Sequence, residues 1–207
     1  MTISRARPRL VAALLCAALV AGCAGMIPGR GAPPKLYSLS PKSTFSPDLP
    51  TVSWQLVVET PVGAETLNTA RIALSRSPLT LDYYGNALWS ERAPVLIQTL
   101  LVESFENTGK IVAVARKATD LRADYVLKTD LREFQAEYSG SGPPVAHVQL
   151  IAKLVKMPER TIIAAFKSER SIEAAGTEMI DVVYAFDEAL GKVLRSIVEW
   201  ALRAPPD

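Results

Sequence analysis

The stretch HVQLIAKLVK-MPER-TIIAAFKSER (residues 147–170) decides the fold. Two runs rich in β-prone residues, 147–156 and 161–170, flank the turn Met157-Pro158-Glu159-Arg160, and their composition suits antiparallel pairing as a hairpin. Upstream, Tyr125, Leu127, Thr129 and Leu131 alternate with Lys128, Asp130 and Arg132, the period of two expected of a half-buried strand. Gly140, Gly142, Pro143 and Pro144 form the loop between that strand and the hairpin. Downstream, residues 178–202 set Val183, Phe186, Leu190, Val193, Leu194, Ile197 and Ala201 along one side of a long helix. Asp181, Asp187, Glu188, Lys192, Arg195 and Glu199 take the other side. A helix lying on a membrane surface would carry a Lys/Arg-rich polar face, whereas this one is mixed and slightly acidic, so packing against the sheet is expected.

The first half of the chain adds shorter pieces. Leu36-Tyr37-Ser38-Leu39 is extended and stopped by Pro41, and TVSWQLVVE (residues 51–59) alternates Val52, Trp54, Leu56 and Val58 until Pro61 and Gly63 end it. Residues 71–75 and 79–84 read as two strands split by Ser77-Pro78. Pro94 opens a helix with Leu96, Ile97, Leu100, Leu101 and Phe105 at helical spacing, closed by Asn107 and Gly109. Residues 111–114 form a short apolar strand. This order predicts an α+β fold: a two-layer sandwich with a mixed, mainly antiparallel sheet and two long helices on one face, in one domain over residues 36–207.

The N-terminus carries an export signal. Arg5, Arg7 and Arg9 precede the uncharged run LVAALLCAALVA (residues 10–21). A spanning helix needs roughly 20 apolar residues, so this run is too short to span and matches the core of a signal peptide. Val20-Ala21-Gly22-Cys23 follows and resembles the bacterial lipobox, in which small residues expose the backbone to the signal peptidase and the cysteine thiolate takes a diacylglyceryl group. Residues 1–22 are therefore expected to be a lipoprotein signal peptide, with Cys23 as the lipid-attachment residue. The other cysteine, Cys16, lies in the segment to be removed, which leaves no thiol for a disulfide. Residues 23–35 make a lipidated tether rich in Gly and Pro; a dozen such residues fully stretched reach roughly 40 Å. Ala24 stands where, in the enterobacterial sorting rule, aspartate favours retention at the inner membrane. Outer-membrane anchoring facing the periplasm is the default expectation.

Composition and motifs then narrow the chemistry. The formal net charge is +2 over the whole sequence, and three of the 23 Lys+Arg residues sit in the signal segment, so there is no basic footprint for nucleic acid. The one histidine, His147, falls at the start of a strand; with no free cysteine, a His/Cys zinc site has too few ligands, and packing at the core or its rim is the expected role. Ser139-Gly140-Ser141-Gly142 lacks the following helix of a nucleophile elbow. No phosphate-binding glycine motif is present, so ATP hydrolysis would belong to a partner. The expectation is a protein with no catalytic residue, no metal and no cofactor. One stretch, residues 82–89, gathers Tyr83, Tyr84 and Trp89 around an expected turn, a candidate partner surface, with capping of the core by Trp89 and one tyrosine as the alternative.

An ordered series of short motifs carries a resemblance. Behind the lipobox and tether come Tyr37-Ser38-Leu39-Ser40-Pro41, Trp89 with Ala93-Pro94 opening a helix, Ala123-Asp124-Tyr125-Val126-Leu127 at a strand start, and a C-terminal helix ending near Trp200. Together they resemble the ABC-type transport auxiliary lipoprotein component family, the PqiC-like lipoproteins, across essentially the whole chain after the signal. A small departure is Leu36-Tyr37-Ser38-Leu39 where the family usually shows a Tyr-Tyr-Leu type start. The resemblance implies an accessory part of an envelope ABC system that contains an MCE-domain (MlaD-like) protein, a permease and a cytoplasmic ATPase, and that moves lipids between membranes. Two readings follow: an adaptor that binds partner proteins or copies of itself, or a lipid-binding carrier. A carrier should enclose a dry apolar pocket of roughly 300 Å³ or more between helices and sheet.

Overall fold

The computed structural model describes residues 33–116 and 122–204, so the signal peptide, Cys23 and most of the tether lie outside the described residues. The elements run in the order β1 (Lys35–Tyr37), β2 (Gln55–Val58), β3 (Val62–Gly63), β4 (Arg71–Ser77), β5 (Thr80–Trp89), α1 (Ala93–Glu106), β6 (Ala113–Ala115), β7 (Tyr125–Glu137), β8 (Val145–Lys156), β9 (Thr161–Glu173) and α2 (Met179–Arg203). They form one mixed sheet with two helices, an α+β fold.

The long strand β7 organises that sheet. One of its edges pairs antiparallel with β8 from Tyr125↔Lys156 to Glu137↔Val145, and β8 pairs antiparallel with β9, the hairpin expected around Met157-Pro158-Glu159-Arg160. The other edge takes three short strands end to end, all parallel: β2 at Leu56↔Tyr125, β3 at Val62↔Asp130 and β4 at Ala73↔Gln135. Proline has no N–H to give a ladder, and Pro61 sits at the break between β2 and β3. Beyond this edge the sheet forks, with β6 parallel to β2 at one end and β5 then β1 beyond β4 at the other.

Two expectations change here. Only Gln55–Val58 of the run 51–59 pairs as strand, and Val57 is buried along with Leu56 and Val58. Alternation requires one solvent-facing side, whereas Val57 packs with Val126 and Val155 in a small second cluster. The strand expected over residues 79–84 does not stop at the turn expected within 82–89 but continues to Trp89, because β5 pairs with both β4 and β1.

A bulge explains why the alternation of β7 is legible only as far as Leu131. Leu131 faces Leu150 and Glu133 faces Gln149, so Arg132 has no partner and the parity of the strand flips. Leu127, Thr129 and Leu131 face the core before it; Phe134 and Ala136 do so after it. Across the ladder, Ala146, Val148, Leu150, Ala152 and Leu154 of β8 are all buried. Trp89, Phe134 and Phe186 close the core as three mutually packed rings with centroids 5.1 to 5.5 Å apart. Aromatic contacts of this kind add about 0.5–1.5 kcal/mol each beyond area burial.

Side chains of the helices hold the Pro-rich segment between β1 and β2, whose backbone has few ladder partners. Ser40 N–H donates to Asp187 (2.6 Å), Lys42 N–H to Ser104 Oγ (2.9 Å) and Ser46 N–H to Glu199 Oε1 (2.9 Å), while Asn107 Nδ2 donates to Lys42 O (3.0 Å). Leu39 and Leu49 anchor the segment in the core. Glu199 also accepts from Arg195 Nε at 2.8 Å. Partial burial pushes the Glu199 carboxyl up, but Arg195 and the Ser46 N–H outweigh it and hold the group below its ordinary value. A carboxylate with a lowered folded-state pKa stabilises the protein above its unfolded value, and that contribution disappears as pH falls through the folded one. Glu199→Gln should therefore lower stability near neutral pH, with the gap to wild type shrinking as pH falls below 4.5, the group's ordinary value. Denaturant unfolding near neutral pH and at about pH 3 reads this, and a gap independent of pH would contradict it.

Candidate functional site

The parity flip at Arg132 gives the sheet face opposite the core a strip of polar side chains. Glu133, Gln135 and Glu137 project from β7, His147 from β8, and Lys167 and Glu169 from β9. His147 Nδ1 lies 2.8 Å from Glu137 Oε1, and its Nε2 lies 2.8 Å from Glu169 Oε1. Lys167 Nζ holds the other oxygen of Glu169 at 2.6 Å. Gln135, almost fully buried, donates from Nε2 to Glu133 Oε2 (2.6 Å) and Glu137 Oε1 (3.0 Å), and its Oε1 accepts the Phe134 N–H. One buried amide thereby bridges two carboxylates.

Burial alone would lower the His147 pKa. Hydrogen bonds donated to Glu137 and Glu169, with the charges of Glu137 and Glu133, outweigh it and raise the value above that of a free imidazole. Lys167, and then His147, hold Glu169 below the ordinary carboxylate range. His147 is thus the hub of a charged network and not simply a packed core ring.

An open groove of about 980 Å³ lies over this strip, bounded by the β4–β5 turn with Pro78 and Leu79, by Thr66, and by the β7–β8 loop at Ser139 and Gly140. Arg76, Arg132, Glu133, Glu137 and His147 are among the residues that line it. The layer where a carrier would enclose its lipid is different in kind: there Leu127, Leu150, Leu154, Phe186 and Leu190 are fully buried against one another.

The residues singled out in the sequence separate. Trp89 is 1% exposed and belongs to the core, so it leaves the outer surface. Tyr83 and Tyr84 are half-buried on β5. Tyr83 donates to Thr66 O at 2.9 Å under the Arg71 guanidinium, and Tyr84 pairs with the Tyr138 hydroxyl at 2.8 Å. Burial and that pairing push the Tyr84 phenol well above its ordinary pKa. Ser139 and Ser141 lie in the β7–β8 connection with no helix behind them. Sequence reasoning missed Glu133, Gln135, Glu137 and Glu169. The alternation of EFQAE (residues 133–137) is itself a signal, but its face depends on the bulge, and its pairing with His147 depends on register.

Among the described residues no helix is long and apolar enough to cross a membrane. The family model of the ABC-type transport auxiliary lipoprotein component matches residues 37–198. The chain belongs to that family. The family is that of lipoprotein components auxiliary to ABC-type transport, which associates the chain with the cell envelope. The crystal structure of protein XCC0632 from Xanthomonas campestris superposes with a TM-score of 0.77 at 33% identity, covering 81% of this chain and 94% of that one. A second crystal structure, of an uncharacterised protein, shares the fold at TM-score 0.65 and 13% identity over 82% of this chain and 99% of the other. An uncharacterised protein of Bradyrhizobium diazoefficiens is 28% identical over 181 residues, 85% of this chain but 47% of that protein, so the chain spans about half the length of this curated relative.

Replacing Gln135 leaves the buried Phe134 N–H without its acceptor as well as removing the shared donor of Glu133 and Glu137, and a buried donor left unsatisfied costs about 1–3 kcal/mol. Gln135→Leu is expected to destabilise the protein by that amount in denaturant unfolding, and a change below about 0.5 kcal/mol would contradict this role of the Gln135 amide.

Proposed function

We propose that the protein is a membrane-anchored, periplasm-facing adaptor, a non-catalytic auxiliary component of an MCE-type ABC transport system that moves lipids or other hydrophobic molecules between inner and outer membrane. The observation that carries this reading is the family match over residues 37–198 directly behind the lipobox and its Gly/Pro tether. In this reading acyl chains on Cys23 hold the domain at the outer membrane, Ala24 being compatible with release from the inner one. The domain meets an MCE-domain protein, or further copies of itself, through its outer surface. Tyr83 and Tyr84, half-exposed and held by hydrogen bonds, belong to that surface. In the same reading the domain is a two-layer sandwich with both helices on one face. This is supported by the single core cluster in which Leu100, Phe105, Phe186 and Leu190 join Leu127 and Leu150.

The adaptor is favoured over a lipid carrier because that shared layer is filled by fully buried Leu and Phe side chains, while the groove on the opposite face is open to solvent and has Arg76, Arg132, Glu133, Glu137 and His147 in its lining. Co-purification tests the proposal. The tagged native protein, extracted from membranes in mild detergent, should bring down an MCE-domain protein together with the permease and ATPase of one system. Cys23→Ala should leave the protein unacylated, release it from membranes and abolish that recovery. Recovery without any MCE-domain protein, or phospholipid retained by the domain in native mass spectrometry, would overturn the adaptor reading.

A further inference from the structure

The strip beneath the groove brings together a constellation that neither the family description nor the adaptor reading uses. One ligand atom each from Glu133, Glu137 and His147 lies within 4.8 Å of the other two. The residues come from two adjacent strands, β7 and β8, so the sheet ladder itself fixes their spacing. The sequence count considered only His and Cys as ligands, and the carboxylates become available only after the bulge has turned them to the side of His147.

We propose that Glu133, Glu137 and His147 form a site for one zinc ion, with His147 ligating through Nδ1 and Glu169 holding its Nε2–H. Zinc takes nitrogen at about 2.0–2.1 Å and carboxylate oxygen at about 2.0–2.2 Å in a tetrahedron, which sets ligand atoms roughly 3.3 Å apart. The Nδ1 to Glu137 Oε1 separation of 2.8 Å needs to open only slightly for the ion to replace the hydrogen bond there. The proton on Nδ1 leaves to solvent as the metal enters.

The surroundings have the form of a metal site's outer layer. A ligating histidine characteristically donates its second ring N–H to a carboxylate, and Glu169 receives it at 2.8 Å while Lys167 holds that carboxylate's other oxygen. The buried amide of Gln135 orients both Glu133 and Glu137 from below. Separately from this cluster, the groove of about 980 Å³ reaches all three ligands, giving the ion a path in and a fourth coordination position open to water or a ligand from the groove. The imidazole argues against calcium and magnesium, which are bound by six or more oxygens, and zinc is among the metals that take imidazole together with carboxylates in a four-coordinate site.

The test uses the full-length acylated protein in detergent, without a polyhistidine tag, stripped with chelator and titrated with zinc chloride by calorimetry, with bound metal counted by mass spectrometry of the elements. The expected result is one zinc per chain and a rise in thermal midpoint on loading. His147→Ala should weaken binding at least 100-fold. Glu169→Gln, which keeps every ligand, should weaken it about 10–100-fold. Glu188→Gln, on the remote face of α2 where Glu188 pairs with Lys192, should bind as wild type. Circular dichroism checks that each variant is folded, and Glu169→Gln decides the matter if His147→Ala is not. Binding below one zinc per chain, or zinc affinity unchanged in Glu169→Gln, would overturn the site. Neither result touches the adaptor reading, which co-purification tests separately.

Discussion

Arg132 has no cross-strand partner, and that extra residue determines which side chains of β7 enter the core and which project from the opposite face. Were the ladder regular, Glu133, Gln135 and Glu137 would continue on the side of Leu127, Thr129 and Leu131. Phe134 would leave its contacts with Trp89 and Phe186. Burying carboxylates in an apolar layer without partners costs several kcal/mol per group in practice, so a register without the bulge is excluded energetically. The bulge thus completes the aromatic core on one face and assembles the Glu–His strip on the other.

The rest of the architecture follows from this strand. Because β8 occupies one edge of β7 along its whole length, β2, β3 and β4 must share the other, and each is short because the chain turns away between them. The fork they create has α1 packed against the β2 and β6 end, where Gln98 Nε2 donates to Val58 O at 2.9 Å. The long amphipathic α2 packs on β8 and β9, with Trp200 stacked on Phe166. The segment after β1 is in turn held by Asp187 and Glu199 of α2 and Ser104 of α1. A domain that fills its core and covers its helices in this way needs no disulfide, in keeping with a sequence whose two cysteines are Cys16 and Cys23.

Much of this was legible in the residues, for reasons that can be named. The β8–β9 hairpin was readable from two β-prone runs on either side of a turn that contains Pro158, and α2 from a sustained apolar stripe along one side. The family was readable from short motifs at residues 37–41, 89, 93–94 and 123–127, which fall inside the matched range 37–198. What was not legible depended on contacts distant in sequence. Val57 gives no sign that β6 and β7 will flank its strand, and nothing after Tyr84 shows that the strand runs on to Trp89 until β1 and β4 are seen to pair with it. His147 had no visible partners because Glu137 precedes it by 10 residues and Glu169 follows it by 22, and only strand register brings them within 2.8 Å.

The role of the bulge can be measured on one pair of variants by near-UV circular dichroism and denaturant unfolding. Deleting Arg132 removes the extra residue and should abolish cooperative unfolding and the aromatic signal of the core. Arg132→Ala keeps the residue count and should stay within about 1 kcal/mol of wild type. A deletion variant that unfolds cooperatively with wild-type stability and an unchanged aromatic signal would contradict the account.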